Sequence, residues 1–272
     1  MLASFLITFR EGLEAFLLVG IVLAYLRKLD ATRHHKWIYL GVLVGLVVSL
    51  AGAVVFQVLV DQFENQRYQT MLMIAVLLVA SFVLSSMALW MQRQARAHTE
   101  TIKRQLQSHV DSGNLMGMVL LAFVAVLREG FETVLFFSAL TYSGQGVDLQ
   151  EGMIGAFGGL AVSVAMVWML MRGTRRVPLQ AFFRYTSLLV IVIAAGLLGS
   201  SVNMMQSVGW IEILKTPLFD ISHVLDDRGL FGTFLRALFG YNSSPTSLQF
   251  GSWLVYLAVA VALWRRGYAR AA

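Results

Sequence analysis

The sequence predicts an all-α integral membrane protein with seven transmembrane helices, its N-terminus outside and its C-terminus inside. Three observations support this. Of 272 residues, 58% are hydrophobic and only 13% charged, a composition of membrane chains rather than globular domains. Seven apolar runs approach or exceed the roughly 20 residues needed to cross the hydrocarbon. Finally, the basic residues between the runs collect in alternate loops, which orients the chain.

The runs lie near 3–26, 37–60, 70–91, 115–141, 152–171, 185–206 and 249–264. The first has no basic leader and no small-residue cleavage site, so it reads as a retained span. Arg27, Lys28, Arg33 and Lys36 follow the first run, and Arg93, Arg96, Lys103 and Arg104 follow the third. Arg172, Arg175, Arg176 and Arg184 lie between the fifth and sixth, and Arg265, Arg266 and Arg270 end the chain. All of these fall on one side, the inside by the positive-inside rule. The opposite loops hold Arg67, Lys215, Arg228 and Arg236 among Asp61, Glu64, Asp148, Glu151, Glu212, Asp220, Asp226 and Asp227. Orientation in the lipid bilayer therefore accounts for the net charge of +6, and no nucleic-acid partner is expected. The absence of cysteine excludes thiolate ligands and disulfides.

Six charges remain inside the spans. They form "REGLE" at 10–14 and "REGFE" at 128–132, one motif repeated at an offset of 118. "GVLVGLVVS" at 41–49 returns as "GAFGGLAVS" at 155–163, Tyr68 as Tyr185, and Ser85-Ser86 as Ser200-Ser201. A three-span unit is thus duplicated within one membrane domain, 1–272. Residues 1–91 form the first unit, 115–206 the second, 207–248 an outer acidic loop with a short interfacial helix, and 249–272 the seventh helix with a cytoplasmic tail. An odd number of spans per unit inverts the second copy, as in many transporters, so the two REGxE segments run antiparallel and meet near the midplane. Gly41/Gly45 and Gly155/Gly159 read as close-packing positions.

On a helix, Glu11 and Glu14 are three apart and share a face, as do Glu129 and Glu132. Arg10 and Arg128 each stand four residues before the second glutamate. A charge at the bilayer centre costs about 2.5–3.5 kcal/mol even on the lenient insertion scale, so six of them need a reason. Structural ion pairing is the plain alternative, but it leaves one carboxylate over in each copy. With all six ionised the net charge is −2, which suits a hard multivalent cation held by oxygen. His34, His35, His98, His109 and His223 all read as loop residues, which weighs against an intramembrane di-iron or zinc enzyme. Met71, Met73, Met87, Met204 and Met205 read as packing; Ser85, Ser86, Ser200, Ser201 and Asn203 are weaker candidates for lining a path. No catalytic residues and no resident cofactor are expected. The residues leave open a proton-coupled carrier of another divalent metal, such as manganese.

The two REGxE motifs in the first and fourth runs resemble the oxidase-dependent iron permease family, which has fungal and bacterial branches. "AFFRYTSLLVIVIAAGL" (181–197), "FDISHVL" (219–225) and "GLFGTFLRALFGYNSSPT" (229–246) are similar to bacterial members at corresponding positions, so the resemblance spans nearly the whole chain. It implies import of iron, as transported substrate, across the bacterial inner membrane. It implies metal ligands at Glu11, Glu14, Glu129 and Glu132, with Arg10 and Arg128 balancing their charge. It also implies ferric iron, delivered after oxidation by a periplasmic haem peroxidase with a cupredoxin-like companion in bacteria, or a multicopper oxidase in fungi.

The outer loop adds Glu212, Asp220, His223, Asp226 and Asp227 ahead of an amphipathic stretch. Asp220, His223, Asp226 and Asp227 are candidates for recruiting the cation, led by Asp220; a merely solvated acidic loop is the alternative. Leu230, Phe231, Phe234, Leu235, Leu238 and Phe239 recur at helical spacing, which predicts a short helix over 229–240, at the interface or tucked into the bundle.

Overall fold

Residues 2–61, 66–142, 149–172, 179–227 and 229–271 are described by a computed structural model. Glu64, Asp148, Arg175, Arg176 and Arg228, used above for orientation, lie outside the described residues. Among the described residues every regular element is helical. In order they are α1 (Leu2–Lys28), a 3-10 turn (Thr32–His34), α2 (His35–Asp61), α3 (Gln66–Asp111), α4 (Leu115–Tyr142), α5 (Leu149–Met171), α6 (Leu179–Ser207), α7 (Leu230–Phe239) and α8 (Ser247–Ala271).

Each of the seven apolar runs falls inside one of these helices. Among the described residues, five segments are both long and apolar enough to cross a membrane: Thr32–Val60, Arg67–Leu89, Gln150–Met171, Phe183–Ser207 and Ser247–Gly267. α1 and α4 have 27 and 28 residues, long enough to span, but each carries the three charges of a REGxE motif. From Leu40 to Val55 the outward surface of α2 is apolar, with Leu43, Val47, Leu50 and Val54 exposed. A soluble protein would bury such a face; hydrocarbon accepts it.

The duplicated segments exchange partners. α1 packs chiefly on α5, α2 on α4, and α3 on α6. Small residues make this possible: a Cβ on Gly159 would strike the backbone of Phe5 and Phe9 on α1, and one on Gly41 would strike Val119 on α4. Gly12 and Gly130, inside the motifs, face the side chains of Ser163 and Ser49 in the same reciprocal manner.

Three apolar clusters hold the described helices: a small one, Phe9 and Leu13 of α1 with Val167 of α5, packs beside the first motif, and two larger ones lie to either side of it. One joins Ala3 and Ile7 of α1 to Leu84 of α3, Phe136 and Leu140 of α4, Ile191 of α6 and Trp264 of α8. The other joins Val19, Val22 and Leu26 of α1 to Ile38, Ile102, Leu106, Met118, Ala122 and Val126. On α1 the motif falls between Ile7 and Val19; on α4 it falls between Val126 and Phe136. Both charged segments therefore lie between the two larger clusters.

α3 departs from the expected layout. It runs for 46 residues, well past the apolar run that ends near 91. Ile102 and Leu106 are buried against α1, α2 and α4, and Tyr25 Oη donates to Gln107 Oε1 at 2.9 Å. The helix stops where Gly113 turns to φ +65 and the Asn114 N–H reaches back to the His109 carbonyl, a glycine-terminated C-cap. Asn114 Oδ1 then accepts from the Gly117 N–H and caps α4. His98 and His109 thus lie within a helix, His35 begins α2 and His34 ends the 3-10 turn, so four of the five histidines expected in loops lie in helical elements.

The segment after α6 folds back into the bundle. α7 packs on α6, and Gly240, at φ +66, meets the backbone of Gly196. Gly196 is eleven residues before the end of α6, about 16 Å along the axis. Trp253 Nε1 donates to the Phe239 carbonyl, which fixes the end of α7 to α8. α7 thus packs against α6 while leaving Phe231 and Phe239 exposed.

Candidate metal site

α1 and α4 touch where their motifs cross. Arg10 Nη1 donates to Glu11 Oε1 at 2.7 Å, and its Nη2 lies 3.1 Å from Glu14 Oε1. In the second motif Arg128 Nε donates to Glu132 Oε1 at 3.2 Å and stands 3.7 Å from Glu129 Oε1. The i,i+4 pairing expected from spacing is present in both copies, and each arginine also reaches its sequence neighbour. The copies differ in access: the Arg10 side chain is 1% exposed and that of Arg128 36%.

Glu11, Glu14 and Glu129 each offer a carboxylate oxygen within 4.8 Å of the others. Oxygens on one hard cation at about 2.0–2.6 Å stand at most about twice that distance apart, so this group can close on a single ion. It is the one such cluster of histidine, aspartate and glutamate among the described residues. Glu132 lies outside the trio and points to Arg128. Buried oxygens of Glu11, Glu129 and Glu132 have no hydrogen-bond partner. An unsatisfied buried acceptor costs about 1–3 kcal/mol, more when charged, and a bound cation removes that penalty.

Met87 belongs beside this site rather than in general packing. Its sulfur accepts from Arg10 Nη1 at 3.6 Å, and it is buried. No sequence signal distinguished it from the other methionines. Three of the candidate path serines donate to carbonyls of their own helices: Ser85 to Ser81, Ser86 to Val83 and Ser201 to Leu198. Ser85 also contacts the Tyr256 hydroxyl.

Among the described residues, Glu212, Asp220, His223, Asp226 and Asp227 do not gather into a ligand group. Asp227 clamps the loop by accepting from the Ser243 N–H and hydroxyl, both at 2.8 Å. Asp220 accepts from the Ser222 N–H at 2.9 Å and is fully exposed. Bonds from Ser222 hold its carboxyl below the ordinary aspartate range. A depressed carboxyl keeps its turn as pH falls through that range and loses it only below. His223 and Asp226 are exposed.

Comparison with known proteins gives this geometry a family. The description "Iron permease FTR1 family" matches residues 1–269. The ferrous iron permease EfeU of Escherichia coli O157:H7 is 34% identical over 270 residues, covering 96% of this chain and 94% of its own. That of Yersinia pestis is 31% identical over 270 residues, covering 97% and 93%. No solved structure matches. Full-length similarity to permeases, with several apolar helices, makes this a multi-pass membrane transporter for iron and not an enzyme. Matched along 1–269, the chain belongs to the iron permease FTR1 family.

Proposed function

We propose that this chain imports iron across the bacterial inner membrane through a site built from its two REGxE motifs. One observation carries the reading: carboxylates from both motifs, Glu11, Glu14 and Glu129, converge within 4.8 Å between two apolar clusters. Glu132 joins as a fourth ligand when the cation draws it from Arg128. Arg10 and Arg128 limit the negative charge so that the ion is held without being trapped. Iron is cargo, and no resident cofactor takes part.

α1 and α4 cross the membrane with the five apolar helices, giving seven spans as two inverted three-helix units plus α8. The reciprocal partners, α1 on α5 and α2 on α4, support this arrangement. The basic loops support an N-terminus outside, by the positive-inside rule. Asp220, His223 and Asp226 then face the periplasm, where they collect iron delivered by a haem peroxidase with a cupredoxin-like companion; Asp227 holds the loop that carries them.

That delivery route makes ferric iron the transported form. A second reading is favoured by the relatives, which are named ferrous iron permeases, and by charge, since a net −2 is neutralised by a divalent ion. Uptake of radiolabelled ferric citrate, ascorbate-reduced iron and manganese into proteoliposomes separates these readings. Glu11→Gln and Glu129→Gln should each lower iron uptake by about a hundredfold or more, a loss of roughly 2.7 kcal/mol in transition-state terms, while remaining folded. Uptake at the parental rate by both folded variants removes the glutamate site. Manganese outcompeting both iron forms points to a general divalent carrier.

A further inference from the structure

The buried face of α1 carries more polarity than the REGxE motif explains. Ser4 and Thr8 precede Glu11 at i, i+4 and i+7, so the three share one stripe of the helix. All three are buried, with exposures of 2%, 7% and 1%. The Ser4 hydroxyl has no hydrogen-bond partner. A hydroxyl withdrawn from water and left unsatisfied is unfavourable in a helix bundle unless something visits it.

The second copy shows that packing does not demand these hydroxyls. At the offset of 118, Ser4 corresponds to Ala122 and Thr8 to Val126, both in the apolar cluster around Leu106. Beyond Glu14 the buried residues of α1 include Val19, Val22 and Leu26, again apolar. Along α1, buried polar side chains therefore lead to the carboxylates from its N-terminal end.

We infer that Ser4 and Thr8 form the approach path to the glutamate site, two neutral oxygen ligands that replace water around the cation as it moves to Glu11. Thr8 stands one helical turn before Glu11 and Ser4 two turns, about 4.5 and 10.5 Å along the axis. Hydroxyls suit this task because they coordinate a hard cation without adding charge that would hold it. The inference rests on the glutamate site proposed above.

The test compares Thr8→Val, Ser4→Ala and the double variant with Thr8→Ser and Glu11→Gln. Iron uptake into proteoliposomes gives kcat/KM, and titration of detergent-solubilised protein with iron gives equilibrium affinity. The double variant should lose about tenfold or more in kcat/KM, a substantial barrier change, while its equilibrium affinity stays at the parental value. Thr8→Ser, which keeps the hydroxyl, should recover most of the uptake that Thr8→Val loses; a loss equal to that of Thr8→Val overturns the path. Parental uptake by the double variant with Glu11→Gln inactive overturns the path and leaves the site standing. Parental uptake by Glu11→Gln overturns both. A parallel loss of affinity and uptake in the double variant also overturns the path, because it makes the hydroxyls part of the site's own structure.

Discussion

Arg10 and Arg128 hold the same place in two copies of one pentapeptide, yet one is sealed and the other is more than a third exposed. The difference sets what each contributes. Replacing Arg10 by Met keeps the apolar stem but leaves Glu11 and Glu14 without their cation in a buried place, where breaking such a pair costs about 3–5 kcal/mol. Arg128→Met should destabilise less, because its side chain is only partly buried and its contacts with Glu129 and Glu132 are longer, at 3.7 and 3.2 Å. Thermal melting in detergent should rank Arg10→Met below Arg128→Met. Saturating iron, binding only the folded state, should recover more of the melting temperature for Arg10→Met than for the parent, since the ion takes over the lost charge. Equal melting temperatures for the two variants would contradict the asymmetry. The motif residues were legible in the sequence because charges in an apolar run have a known cost. The partition of the four glutamates was not, since it depends on how α1 crosses α4. Met87 was invisible because a thioether beside an arginine has the same sequence signature as one in a core.

At the scale of elements, the helices are held by close approach rather than by burial from water, since hydrocarbon is as apolar as leucine. Two glycines test this with opposite signs. A Cβ at Gly159 has no room against Phe5 of α1, so Gly159→Ala must part α1 from α5 and should cost about 1–3 kcal/mol, with reduced uptake. A Cβ at Gly52 of α2 meets nothing within 4 Å, so Gly52→Ala should stabilise by about 0.5–1 kcal/mol through the helix preference of alanine. Denaturation of both variants beside the parent reads the two signs directly. The extension of α3 shows where sequence reading stopped short. Its charges after 91 resembled a loop, but Ile102, Leu106 and Val110 recur every fourth residue and Gly113 supplies the stop, signals of a helix that continues outside hydrocarbon. The fold-back of Gly240 onto Gly196 had no comparable signal, because it is a long-range contact between two glycines.

The molecule as a whole places the charged groups of both REGxE motifs between apolar clusters, and on the proposed reading each ion that crosses carries its charge through the membrane field. That field is worth about 2.3 kcal/mol per charge per 100 mV. A tenfold concentration ratio is worth about 1.36 kcal/mol. If iron alone moves, a tenfold gradient is balanced by about 30 mV when two charges cross and by about 20 mV when three do. Imposing potassium diffusion potentials on proteoliposomes and finding the voltage at which net iron flux stops therefore counts the charge per iron. The ferric reading requires the smaller voltage. The larger one supports ferrous transport, and a voltage that moves with the pH gradient reveals coupled protons. Because Arg10 stays in its pairs with Glu11 and Glu14 on this reading, Arg10→Met should slow the flux without shifting the voltage. A shift would mean that the arginine's charge moves with the ion.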